Sequence, residues 1–124
     1  KENNIKNIKL PVSAPFHCSL MNKTTNIMRE ELNKLNFMNG GNKLISNVTA
    51  KEISNTDELK DLLIKQIENR VRWRESAINM INNDINHFIE IGPGKVLSGL
   101  IKRISKEVKI DTINNQGDIE SLKI

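Results

Sequence analysis

Residues 87–111, HFIEIGPGKVLSGLIKRISKEVKID, constrain the fold more than any other part of the chain. HFIEI is a short run rich in aromatic and β-branched side chains and reads as a buried strand. Gly92-Pro93-Gly94 then marks a tight turn. Val96, Leu97, Leu100, Ile101 and Ile104 recur at helical spacing and define one apolar face. EVKID, at 107–111, reads as a second short strand. Two strands separated by a helix pair in parallel, because parallel neighbours need a long crossover where antiparallel ones need only a turn. The chain is therefore expected to be α/β, with helices flanking a parallel sheet.

Gly94-Lys95 before a helix invites comparison with phosphate-binding loops. Ile89 and Val96 stand where a P-loop requires glycine and Ser or Thr. Leu97 stands where the dinucleotide fingerprint requires its third glycine. Both patterns fail, and the glycines are read as serving the turn.

Upstream, IKLPVS at 8–13 reads as a strand, and a helix is expected to begin at Pro15. Leu20, Met21, Thr24, Ile27, Met28, Glu31, Leu32 and Leu35 recur at mostly helical spacing, and NFMNGGN at 36–42 breaks it. KLISNVTA at 43–50 is a strand candidate. Ser54 or Asn55, with Asp57 or Glu58 three residues on, signals a helix start. Leu59, Leu62, Leu63 and Gln66 then form one stripe. VRWRESAINMIN at 71–82 reads as another helix, and the tail from Asn114 as weakly structured or a short helix. Residues 1–124 thus form one α/β unit without repeats or linkers.

Hydrophobic residues make up 37% of the 124, enough for one modest core. No apolar run reaches the ~20 residues that span a bilayer, so no membrane partner is expected. The opening KENNIKNIKL lacks both methionine and signal-peptide character, as expected for a processed product or a piece of a longer chain. A single cysteine, Cys18, excludes an internal disulfide and suits a reducing compartment. The net charge of +4 favours acidic partners. Three Phe and one Trp offer few stacking platforms, and no dense Lys/Arg run is present, so nucleic acid is not expected.

The two histidines and Cys18 lack the spacing that places two metal ligands on one helical face. Adjacent helical residues point about 100° apart, so His17 and Cys18 make a poor base–nucleophile pair. His87 opens a buried strand and reads as structural. His17 is the stronger candidate base. In the first turn of a helix, the dipole would disfavour its imidazolium. Gln66, polar on an apolar stripe, sits near a helix end where carbonyls lack internal partners. Its backbone oxygen could accept a proton from one ring nitrogen of His17 and fix the tautomer.

LPVSAPFHCSLM, ISNVTA, LIKQIENRVRW and IEIGPGKVLSGLIKRI together, in this order, resemble the malonyl-CoA:acyl carrier protein transacylases. The resemblance covers nearly the whole chain and implies the C-terminal part of an acyltransferase's large, α/β-hydrolase-like subdomain. In that family a serine in a Gly-x-Ser-x-Gly elbow attacks the malonyl thioester. The resemblance places His17 as the base that takes the serine's proton, with the Gln66 carbonyl orienting it. Phe16 matches the position associated with choosing malonyl over α-methylated units. Arg70 departs from the pattern, since many relatives read proline before the Val-Arg-Trp. None of the serines here has the flanking glycines. The nucleophile, the oxyanion donors, the arginine that grips malonyl and the ferredoxin-like subdomain are therefore expected upstream in the same polypeptide.

The implied partners are malonyl-CoA and acyl carrier protein, with no metal or redox cofactor. Lys95, Lys102, Arg103 and Lys106 lie off the apolar face after Gly-Pro-Gly, with 95, 102 and 106 near one another at i+7 and i+4. They are candidates for docking an acidic carrier, set against an ordinary solvated helix face. Two alternatives stand beside this reading: an acyltransferase domain of a larger polyketide or fatty-acid synthase, and a basic non-catalytic α/β binding module. The expected address is a plastid of apicoplast type in a eukaryote and the cytoplasm in a bacterium.

Overall fold

The computed structural model describes residues 12–122. After a 3₁₀ turn at Ser19–Met21, the order is α1 (Asn22–Asn33), α2 (Thr56–Lys65), α3 (Trp73–Asn82), β1 (His87–Ile91), α4 (Val96–Ile104), β2 (Lys109–Ile113) and α5 (Gln116–Ser121). β1 and β2 pair in parallel, with His87 opposite Lys109 and Ile91 opposite Ile113. This is the expected α/β arrangement, with a partial parallel sheet of two strands among the described residues.

Local chemistry explains the junctions. Asn55 caps α2 by accepting from the Glu58 N–H at 2.8 Å, and the Glu58 carboxylate accepts the Ser54 N–H at 2.8 Å. The Ser54 hydroxyl also donates to that carboxylate, and this bond holds the Glu58 carboxyl below its ordinary range. At the strand-to-helix turn, Gly92 and Gly94 adopt φ of +135° and +95°. No heavy atom crowds the place of a Cβ at either glycine, so the requirement is conformational rather than steric. Glu90, on β1, closes the start of α4 by accepting from the N–H groups of Leu97 at 3.0 Å and Ser98 at 2.8 Å. That leaves fewer bare donors at the helix start.

The core is small: Leu62 and Ile64 of α2, Ala77 of α3, Phe88 of β1, Ile101 of α4 and Ala50 are buried. The apolar face of α4 is buried only in its second half. Val96 and Leu97 remain 71% and 40% exposed, beside Ile91 of β1 at 77%.

Several expectations need correction. The strand at 8–13 lies mostly outside the described residues, and Val12 and Ser13 are not in a strand. No helix begins at Pro15. Phe16 and His17 form a turn, and the first α-helix starts at Asn22. KLISNVTA is not a strand but a turn at 47–49, with one isolated bridge between Ile45 and Glu52. The reason is local: the Ser46 hydroxyl accepts the N–H groups of Val48 and Thr49, diverting them from any ladder. Lys106 also leaves the helix, because α4 ends at Ile104 and Ser105 is extended at φ −143°, ψ 139°.

Candidate active site

Phe16 and His17 stand on the turn ahead of α1, and Gln66 caps the C-terminal end of α2. Forty-nine residues apart in sequence, His17 and Gln66 meet. The ring Nδ1 lies 2.8 Å from the Gln66 backbone oxygen. A carbonyl can only accept, so Nδ1 carries the proton in this contact, which leaves Nε2 as the ring nitrogen turned away from Gln66. Nε2 has no hydrogen-bond partner among the described residues. The His17 backbone N–H donates to the Ile67 carbonyl at 3.1 Å, giving the residue a second tie to the same segment.

His17 takes φ +62°, the left-handed region that side chains with a Cβ disfavour by about 1–2 kcal/mol. The strain is held by the two hydrogen bonds to residues 66 and 67. His17 precedes the helix instead of opening it, so the expected place in a first helical turn is not found. The contact between the His17 ring and the Gln66 backbone carbonyl is the part of the sequence argument that the geometry shows.

A groove of about 350 Å³ opens beside the ring, between α1 and α2. Phe16, 55% exposed, stands at it with Met21, Met28, Leu63 and Ile67. A larger hollow of about 500 Å³ lies among residues 38–44 and 52–59, away from His17. Its only opposed charges, Lys43 and Glu52, are paired at 3.0 Å.

The other candidates do not join this cluster. Cys18 donates through Sγ to the Pro15 carbonyl at 3.2 Å. His87 is bound through Nε2 to the Asp111 carboxylate at 2.7 Å, on the sheet. Lys95, Lys102, Arg103 and Lys106 are exposed and form no ion pair among the described residues. Lys102 and Arg103 share the last turn of α4, where cations suit the helix dipole. Lys95 stands at the opposite end of that helix and Lys106 past it, so the anticipated i+4 relation of 102 and 106 does not exist.

Sequence reasoning also missed the part played by residues 46–50. Asn47 donates through its side-chain amide to the Gln66 side-chain oxygen at 3.4 Å, a contact hidden by reading this stretch as a strand.

No family model matches the chain. Individual proteins do. The Malonyl CoA-acyl carrier protein transacylase of Bacillus subtilis is 38% identical over 121 residues, covering 97% of this chain and 38% of the relative. The chain matches a segment of the malonyl CoA-acyl carrier protein transacylases. Among solved structures, the acyl-carrier-protein-S-malonyltransferase of Bartonella henselae superposes with a TM-score of 0.84 at 41% identity. That match covers 90% of this chain and 36% of the other. A malonyl-transacylase solved in complex with its type II PKS acyl-carrier protein gives a TM-score of 0.83 at 29% identity, over 90% of this chain and 36% of that one. The chain thus spans well under half the length of the transacylases it resembles.

Proposed function

We propose that this chain is the base-bearing segment of an enzyme that moves malonyl from malonyl-CoA to acyl carrier protein in type II fatty-acid synthesis. The observation that carries the reading is the His17–Gln66 contact, an imidazole whose tautomer is held by a neutral backbone carbonyl with the other nitrogen free. The likeness to malonyl transacylases supports the substrate class, and the transacylase solved with its acyl-carrier protein supports the carrier as partner.

In this mechanism His17 Nε2 takes the proton of a serine hydroxyl supplied by the upstream polypeptide, and the serine oxygen attacks the malonyl thioester carbonyl. The C–S bond breaks, and the imidazolium returns its proton to the departing coenzyme A thiolate. In the second half-reaction Nε2 takes the proton of the carrier's phosphopantetheine thiol. That sulfur attacks the acyl-serine, and the serine oxygen recovers the proton. The Gln66 carbonyl keeps Nδ1 protonated throughout and faces the partial positive charge of each imidazolium. Phe16, adjacent to the base, acts as a steric filter beside the malonyl α-carbon. Lys102 and Arg103, with Lys95 and Lys106 more distant, supply positive charge for the carrier. The chemistry draws on no metal or redox cofactor.

The test is covalent labelling with radiolabelled malonyl-CoA. Residues 1–124 alone should take no stable label, having no Gly-x-Ser-x-Gly serine. The full-length polypeptide should be labelled on serine and pass the label to carrier protein. A full-length protein that never labels would return the chain to a non-catalytic binding module. With labelling established, reversing Lys102 and Arg103 to Glu should raise the KM for carrier protein and leave that for malonyl-CoA nearly unchanged.

A further inference from the structure

The Gln66 carbonyl can orient His17 only if Gln66 itself is held, and one of the bonds that hold it comes from the turn at residues 46–50. That turn is tied down on the side of α3 by three carbonyls. The Asn47 oxygen accepts the Arg72 N–H at 2.9 Å, the Thr49 oxygen accepts the Arg72 guanidinium at 3.1 Å, and the Ala50 oxygen accepts the Asn79 amide at 2.8 Å. Arg72 is fixed in turn by Glu75, at 3.3 Å, which also pairs with Arg70 at 3.1 Å. Within the turn, Ala50 adopts φ +58° and donates its N–H to the Ser46 carbonyl at 2.8 Å. The turn is thus over-determined, and one side chain leaves it toward the base: the Asn47 amide, which donates to the Gln66 side-chain oxygen.

We infer that Asn47 is a positioning residue for His17, acting through Gln66: it fixes the last residue of α2's C-terminal cap so that the carbonyl meets Nδ1. The inference rests on the proposed role of His17 as base. A backbone oxygen has no side chain of its own to aim it, so its direction depends on what holds the residue. Here the Gln66 N–H is bonded to Leu62 at 3.0 Å, which sets its height on the helix, while the Asn47 contact resists rotation about the helix end. Arg70 extends the same network through Glu75, at the point where the chain leaves Gln66 for α3.

The test reads the tautomer of His17 in the 124-residue chain by long-range ¹H–¹⁵N correlation of the ring nitrogens above the imidazole titration range. Wild type should show Nδ1–H at His17. His87, whose Nε2 faces the Asp111 carboxylate, should show the opposite tautomer and serves as the internal reference. In Asn47→Ala the ratio of Nδ1–H to Nε2–H at His17 should fall roughly 3–10-fold, the worth of one neutral hydrogen bond, with His87 unmoved. Asn47→Asp should rescue the ratio, because the Gln66 amide can turn and donate to the new carboxylate. Asn79→Ala loosens the same turn without touching Gln66 and should shift the ratio less than Asn47→Ala. An unshifted His17 in Asn47→Ala, or an equal shift in Asn79→Ala, would overturn the inference. A wild-type chain with mixed tautomers at His17 would overturn the base-orienting role of Gln66 as well. Malonyl transfer is not part of the readout, so failure of the labelling experiment leaves the tautomer result standing.

Discussion

The His17 and His87 rings are each held by one short hydrogen bond, 2.8 Å and 2.7 Å, yet they are held in opposite ways. His17 is exposed, stands on a left-handed turn, and is bound through Nδ1 by a neutral carbonyl. His87 is 24% exposed along its side chain, sits in a regular strand, and is bound through Nε2 by a carboxylate that Lys109 also approaches at 3.4 Å. A carbonyl fixes which nitrogen bears the proton without adding a full charge beside it. A carboxylate makes a stronger, charge-assisted tie and answers to pH on its own account. The strained backbone accompanies the ring whose direction matters. The relaxed backbone accompanies the ring that fastens two strands.

The largest expected difference is in turnover. In the full-length enzyme, His17→Ala should lower kcat by roughly 10²–10⁴-fold, the usual worth of a general base. His87→Ala should leave kcat within a few fold and lower the unfolding midpoint instead. Equal losses in kcat would dissolve the comparison. Next is selectivity at the His17 side. Phe16→Ser should raise the rate with methylmalonyl-CoA relative to malonyl-CoA by an amount within the ~1–3 kcal/mol that one methyl commands. An unchanged ratio would assign Phe16 to packing.

The backbones themselves give a smaller, mirrored effect. At His17, φ +62° means that His17→Gly should be more stable than His17→Ala by about 1 kcal/mol. In the strand the order should reverse, with His87→Gly less stable than His87→Ala by roughly 0.5–1 kcal/mol. Urea unfolding of the four variants checks both signs. The smallest effect is on the acid side. The His87 hydrogen bond, ahead of Lys109, holds the Asp111 carboxyl below its ordinary range. A depressed carboxyl contributes stability above its unfolded pKa of about 4, and that contribution is lost as pH falls through the folded value. Asp111→Asn should therefore flatten, slightly, the fall of the urea midpoint between about pH 5 and pH 2. Glu58, Glu75 and Glu90, also depressed, keep most of the slope. For Glu75 the first cause is its own backbone N–H, with Arg72 and Arg70 contributing after it.

The β1–α4–β2 unit was legible because its signals are contiguous, an apolar run, a glycine turn and a helical stripe, although β2 runs Lys109–Ile113, two residues later than the expected 107–111. The α2 start was legible because Asn55 and Glu58 cap through bonds within one turn. The carbonyl partner of His17 was anticipated from the general shortage of acceptors' partners at helix ends. What stayed hidden depended on distant groups or on side chains competing with the backbone. His17 was expected in a helix, but the Ile67 carbonyl claims its N–H and the turn goes left-handed. KLISNVTA was expected as a strand, but the Ser46 hydroxyl takes the N–H groups of Val48 and Thr49. The exposed start of α4 shows that a stripe reports what can be buried, not what lies over it.

The two histidine contacts also close very different lengths of chain: 24 residues from His87 to Asp111, and 49 from His17 to Gln66. Each doubling of a loop adds about 0.6 kcal/mol to the entropy lost on closure. With a neutral acceptor on one side and a charged one on the other, the His17 contact is expected to open more often than the His87 contact. Amide exchange should show it, with the His17 N–H exchanging faster than those of β1. If the His17 N–H proved the slower of the two, the longer closure with the neutral acceptor would be no looser than the shorter, charged one.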